Sequence, residues 1–120
     1  MGRIVHADNS EFFRKLMKTF LSELGHDAGS FAGGKDAAAS VKAGKADCVI
    51  TGLQLADMSG EEFIKRLAGV PQKVPVVVVT SSNDEVQHKR LGALGVKAVI
   101  QKSGDWKGEL SNHLSNMGNW

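Results

Sequence analysis

Residues 74–81 read V-P-V-V-V-V-T-S, and this run constrains the fold more than any other stretch. A continuous β-branched segment this short fits a strand buried on both faces, at the centre of a parallel sheet covered by helices. Pro75 fits near the start of such a strand, where the ladder does not yet need its N–H. In open α/β sheets, ligands and chemistry sit just beyond the carboxyl ends of the strands. Thr80 and Ser81 stand at that end.

The rest of the chain alternates around this strand. Residues 3–8 (R-I-V-H-A-D) read as a first strand. Asn9 or Ser10 can cap a helix whose Phe12, Phe13, Leu16, Met17, Phe20, Leu21 and Leu24 recur at three- and four-residue steps, with Gly25 at its end. Residues 26–32 form a weak second strand, and an Ala-rich helix covers 36–43. Residues 47–51 (D-C-V-I-T) form the third strand, ending at Gly52. Ser59 and Glu62 make a capping box for a helix with Phe63, Ile64 and Leu67 inward. After the Val strand, Ser82 and Glu85 suggest a second capping box, for a helix to about Leu94. A fifth strand at 97–101 and a last helix from Asp105 complete the pattern. Such alternation implies one doubly wound (βα)5 domain over 1–120, flavodoxin-like, with helices on both faces of a parallel sheet ordered 2-1-3-4-5.

Composition narrows the class. The 120 residues allow one domain with a real core, and the 42% apolar and 23% charged fractions are ordinary for a globular chain. A formal net charge of +2 is too small to argue for nucleic acid. The single Cys48 cannot form an internal disulfide and reads as a small core residue. No stretch reaches the roughly 20 apolar residues of a membrane span. The N-terminus shows no signal-peptide pattern, so a cytoplasmic location is the expectation.

At the strand ends the pattern gathers Asp8 and Asn9, Gly52, Thr80 and Ser81, and Lys102. An acid, an amide, two hydroxyls and an ammonium suit an anion, with Lys102 as the point charge. They suit hydrolysis poorly, because no His or Cys stands at a strand end as base or nucleophile.

These residues resemble the CheY-like receiver domains of two-component response regulators, over essentially the whole chain. Asp8-Asn9-Ser10 with Arg14 resembles the family's D-D-S-x-x-x-R opening. Residues 47–60 (D-C-V-I-T-G-L-Q-L-A-D-M-S-G) resemble its D-L-V-L-L-D-I-x-M-P-x-M-D-G segment. The Val strand with Thr80, and Lys102 after the fifth strand, complete the likeness. The resemblance implies a phosphoryl-accepting aspartate at the end of the third strand, but Gly52 stands there and has no side chain to do it. The implied acid pair for Mg²⁺ is Asp8–Asn9, one charge short, so Mg²⁺ is expected to bind weakly or not at all. Leu55–Ala56 replace the family's Met-Pro, Val99 takes the aromatic switch position, and Ser103 and Gly104 follow the lysine. The expectation is a pseudo-receiver: not an enzyme, without cofactor, signalling by protein contact rather than aspartyl phosphorylation.

Other residues are weighed against plain roles. His6 reads as a satisfied core or edge histidine. Asp57 reads as a solvated loop acid rather than a substitute phosphoacceptor, a role Ser81 could also fill. Lys102 either pairs with Asp8 or points outward. His88, Lys89, Arg90, Lys97, Trp106 and Lys107 outline a basic face suited to an acidic or mixed partner, with Trp106 folded onto the core as the plain alternative. Expected partners are other signalling proteins, a histidine kinase or output domain among them, or a second copy of the chain. Nucleic acid and membrane are not expected. A small-ligand or flavin module of the same topology is the alternative class, disfavoured by the absence of a Gly-rich phosphate cradle in the first β-α turn.

Overall fold

The five-stranded sheet places its most apolar strands at the centre. The computed structural model describes residues 2–117. Its elements are β1 (Arg3–Ala7), α1 (Glu11–Glu23), β2 (Asp27–Phe31), α2 (Gly34–Lys42), β3 (Cys48–Thr51), α3 (Gly60–Ala68), β4 (Val76–Thr80), α4 (Glu85–Ala93), β5 (Ala98–Gln101) and α5 (Trp106–Met117). The strand order is β2-β1-β3-β4-β5, all parallel. Every residue of β3 and β4 is buried. That is why Val76–Val79 need no polar alternation: each face meets helices.

Side-chain alternation divides the core in two. Val5, Ala7, Val49 and Val78 pack with Ala37 and Val41 of α2, with Phe63, Ile64 and Leu67 of α3, and with Leu91 of α4. On the other face Ile4, Cys48, Ile50, Val77, Val79 and Ile100 pack with Phe13, Met17 and Leu21 of α1 and with Leu110 and Leu114 of α5. Each fully buried aliphatic side chain contributes about 1.5–3 kcal/mol. Cys48 is a core residue, and burial pushes its thiol up to about 12.

Local chemistry sets the helix starts. Ser10 Oγ accepts from Phe13 N at 3.1 Å, and Ser59 Oγ accepts from Glu62 N at 3.1 Å. α4 departs from the sequence expectation. Its cap is Asp84, whose Oδ1 accepts from Val86 N at 3.0 Å and Gln87 N at 3.3 Å. Ser82 lies two residues upstream, where its Oγ accepts from Asp84 N at 3.2 Å and donates to Gln87 Oε1 at 2.9 Å. A carboxylate nearer the helix start displaces the hydroxyl as cap. α2 likewise borrows its cap. Gly33 has none to offer, and Asp57 reaches back to accept from Gly34 N at 2.7 Å and Lys35 N at 3.1 Å. Those two amide bonds hold its carboxyl below the usual aspartate range. Asp57 is thus the exposed loop acid expected from the sequence, and it also caps α2 from a distance.

His6 is buried as expected but is not satisfied. It is 1% exposed, its ring centroid lies 6.0 Å from that of Phe13, and neither ring nitrogen has a hydrogen-bond partner among the described residues. Burial lowers its pKa from 6.5 to about 4; Asp8 pulls the other way, and Lys102 and Arg14 add to the lowering.

Two stability tests follow from these groups. Below pH 6.5 the unfolded chain protonates a histidine that the fold keeps neutral, so His6 destabilises the fold as pH falls from 6.5 to about 4. The effect is on the order of 3 kcal/mol. Urea unfolding against pH should show this acid slope, and His6→Leu should flatten it. Asp57→Ala should lower Tm at neutral pH by removing the α2 cap. The difference from wild type should shrink as pH falls through the carboxylate range, because the cap acts only when ionised.

Candidate functional site

The carboxyl ends of β1, β3, β4 and β5 surround a cavity of about 480 Å³. Asp8, Asn9, Gly52, Thr80, Ser81 and Lys102 all line it. The sheet order brings these six together from four separate loops, as the topology requires.

Asp8 is the most fixed of them. Its N–H donates to Phe31 O at 3.0 Å, and its own carbonyl accepts from Arg14 Nη1 at 2.7 Å. Its Oδ1 accepts from Ser10 N at 2.8 Å, an Asx turn leading into α1. Its Oδ2 lies 2.9 Å from Lys102 Nζ, an ion pair whose alignment falls short of a hydrogen bond. The Lys102 ammonium also stands 4.0 Å above the Phe13 ring centroid. Lys102 is therefore turned inward and held between a carboxylate and an aromatic face. Its backbone N–H donates to Thr80 O at 2.7 Å, which ties β5 to β4 at the cavity rim.

Gly52 makes this arrangement possible. A Cβ at position 52 would stand 2.8 Å from Asp8 Oδ2 and 3.2 Å from its Cγ. A side chain there would require the Asp8 carboxylate to shift from this position. Behind it, Gly60 lies so close to the Gly52 carbonyl that a Cβ on Gly60 would collide with it. The β3–α3 loop is closed further by Gly60 N donating to Leu53 O at 2.9 Å.

The two hydroxyls differ in exposure. Thr80 is buried, and its Oγ1 accepts from Ser82 N at 3.0 Å. Ser81 is exposed at the cavity edge. His88 Nε2 donates to Ser82 O at 3.0 Å, because a carbonyl can only accept; this fixes the Nε2–H tautomer. The sequence did not single out Gln54 and Gln87, and marked Ser82 only as a cap, yet all three line the cavity. Polar residues at a loop–helix junction were the signal, but they read equally as caps. Nor did it anticipate Phe13 beneath Lys102, since an inward helix position and a strand-end lysine carry no pairwise pattern.

Asp8 is the one carboxylate in the cavity lining. Among the described residues, no group of three or more His, Cys, Asp or Glu could hold a metal ion. Asp57 lies outside the cavity, at α2.

The receiver resemblance now has an independent counterpart. The response regulator receiver domain family matches residues 4–114. The chain belongs to that family. Solved structures agree on its fold. The non-phosphorylated HemR receiver domain from Leptospira biflexa is similar at TM-score 0.87 and 17% identity, covering 100% of this chain and 98% of that one. The BeF3-activated RstA receiver domain from Klebsiella pneumoniae gives TM-score 0.86 and 20% identity, over 97% and 98% of the two chains. The chemotaxis response regulator CheY4 of Vibrio cholerae gives 0.82 and 21%, over 96% and 97%. No curated protein sequence matches. The protein is a receiver domain of two-component signalling, a family that works by contact with other signalling proteins. Among the described residues no helix is long and apolar enough to cross a membrane.

The residues outlined from the sequence as a basic face lie on α4, just before β5 and at the start of α5. Leu91 seats α4 on one side of the sheet, whereas Trp106 packs on the other, 5.0 Å from Phe13 and 5.4 Å from Phe20. Trp106 follows its plain alternative. Lys107 follows Trp106, with Nζ 5.9 Å from the Phe20 ring centroid. Arg90 turns toward α3 and pairs with Glu61 at 2.9 Å. His88 is tied to Ser82, leaving Lys89 and Lys97 exposed. Val99 is half-buried against the α3–α4 side of the core.

The ion pair gives a direct test. Lys102→Met strands the Asp8 carboxylate, which should lower stability by roughly 2 kcal/mol, below the usual figure for buried pairs because Lys102 is partly exposed. Adding Asp8→Asn to Lys102→Met should recover most of that loss. Urea unfolding of both single variants and the double variant measures the coupling.

Proposed function

We propose that this receiver domain signals by protein contact without phosphorylation of an aspartate, and that it acts neither as an enzyme nor as a Mg²⁺ protein. The observation that carries the reading is the end of β3. The family's motif places the acceptor at Gly52, which has no side chain, and the Asp8 carboxylate stands 2.8 Å from where a Cβ there would lie. An acyl phosphate needs a carboxylate nucleophile, and glycine supplies none. The donor set does not fit Mg²⁺. Its one cavity carboxylate is already neutralised by Lys102, and Asn9 adds no charge. Thr80 and Lys102, the residues that would read a phosphoryl group, are engaged with Ser82 N and with Asp8 instead. Asp57 accepts from the α2 amides, which argues against it as a substitute acceptor.

The test is incubation with acetyl phosphate and Mg²⁺, followed by intact-mass measurement and amide NMR with beryllofluoride. The expected result is no added phosphoryl mass and no shifts at Asp8, Gly52, Thr80 or Lys102. An acid-labile adduct would overturn the reading, and an acid-stable ester on Ser81 would replace it with hydroxyl phosphorylation.

A further inference from the structure

The cavity at the carboxyl ends holds two charges that cancel. Asp8 Oδ2 and Lys102 Nζ stand 2.9 Å apart, so an entering ion meets a compact dipole rather than a net charge. An anion drawn to Lys102 is repelled by Asp8, and a cation drawn to Asp8 is repelled by Lys102. Apart from this pair the lining carries no charged side chain. Asp8 Oδ2 is still short of partners. It is buried and accepts no hydrogen bond among the described residues, although Asp8 forms part of the cavity wall. A buried carboxylate oxygen without a donor is costly, and the cavity is the open side from which a donor can reach it.

The rest of the wall consists mostly of groups that both give and take hydrogen bonds. Among the described residues no hydrogen bond involves the side chains of Asn9, Gln54 or Ser81, and Gln87 uses only its Oε1, for Ser82 Oγ. Leu53 and Val79 are the two apolar side chains in the lining. The volume of about 480 Å³ lies in the range of small-molecule sites. Such sites are usually apolar and aromatic, and this one is neither. It suits a ligand that is polar on every side and has no flat apolar ring to bury.

We propose that this cavity binds a small uncharged polyol, without covalent chemistry. One ligand hydroxyl donates to Asp8 Oδ2, and its neighbour accepts from Lys102 Nζ. The 2.9 Å between those two atoms is close to the spacing of hydroxyls on adjacent carbons. The amides of Asn9 and Gln87 and the Ser81 hydroxyl meet the remaining hydroxyls in either sense of donation. The inference rests on the phosphorylation-independent reading, because an acyl phosphate or a bound Mg²⁺ would claim the same Asp8 and Lys102 side chains. A zwitterion also matches a dipole, but it is the poorer occupant. It must shed the water around two charges, while Asp8 and Lys102 already neutralise each other.

The test is amide NMR titration of the full chain with myo-inositol and, separately, with inorganic phosphate and with glycine. Myo-inositol should give saturable millimolar shifts centred on Asp8, Gly52, Ser81 and Gln87, little changed by salt. Phosphate and glycine should give weaker shifts there or none. Ser81→Leu, at an exposed position of the rim, should weaken binding about tenfold. Lys89→Ala, outside the cavity, should leave it unchanged. The Asp8→Asn, Lys102→Met double variant removes both charges together and should lose saturable binding. Shifts that spread over the surface without saturating, tighter binding of phosphate or glycine, or wild-type affinity in Ser81→Leu would each overturn the assignment. Absence of myo-inositol binding, with no phosphoryl mass gained from acetyl phosphate, overturns this assignment alone. Phosphoryl mass gained from acetyl phosphate overturns the earlier reading and this one with it.

Discussion

Everything in this fold depends on a parallel sheet that must be covered on both faces. β3 and β4 expose no residue to water, so neither face can be left bare. The five crossover helices supply that cover, α1 and α5 on one face, α2, α3 and α4 on the other. The same geometry sends every strand the same way, so the loops leaving the carboxyl ends collect at one rim. The cavity with Asp8, Gly52, Thr80 and Lys102 is a consequence of that direction, before any particular chemistry is chosen.

What the rim then does is decided by a few atoms around Gly52. Removing a side chain from the end of β3 usually means an empty space. Here the space is occupied, because the Asp8 carboxylate leans to within 2.8 Å of where a Cβ would be and meets Lys102 at 2.9 Å. Phe13 backs the ammonium from the other side. The pair spans β1 and the β5–α5 loop, so two edges of the rim are held together by the protein's own charges. Desolvation makes such a pair modest as a source of stability, but it strongly favours one arrangement over others.

The sequence was informative where one local rule operates alone. Alternation of Val-rich runs with amphipathic stretches specified the elements and their order, and the Ser59 cap was legible because no competing oxygen lies nearer the helix start. It was less informative where two groups compete or a partner is remote. Ser82 and Asp84 both suit a cap, and the carboxylate wins by position. Asp57 caps a helix that lies more than twenty residues upstream, and only the folded geometry reveals it. Phe12 and Phe13 are equivalent to a periodicity argument. The 100° step between them sends Phe13 to the core and Phe12 to solvent, and nothing in the composition decides that. The strand-end residues were found by counting, whereas the inward turn of Lys102 required Phe13 to be seen beneath it.

His6 and Trp106 show how the two faces of this receiver domain differ in kind. The α2–α3–α4 side is lined by aliphatic residues around Phe63. The α1–α5 side instead carries a chain of rings, from His6 to Phe13 to Trp106 to Phe20, with centroids 5.0–6.0 Å apart. One end of that chain lies under the Asp8–Lys102 pair, through Phe13. The other end, Phe20, lines a groove between α1 and α5. Rings packed edge to face resist independent movement, because each rotation breaks a neighbour's contact. The same side chains that fix Lys102 inward therefore also fix the packing of α1 against α5. The ion pair at the rim and the α1–α5 side of the core are thus one packed unit, joined through Phe13.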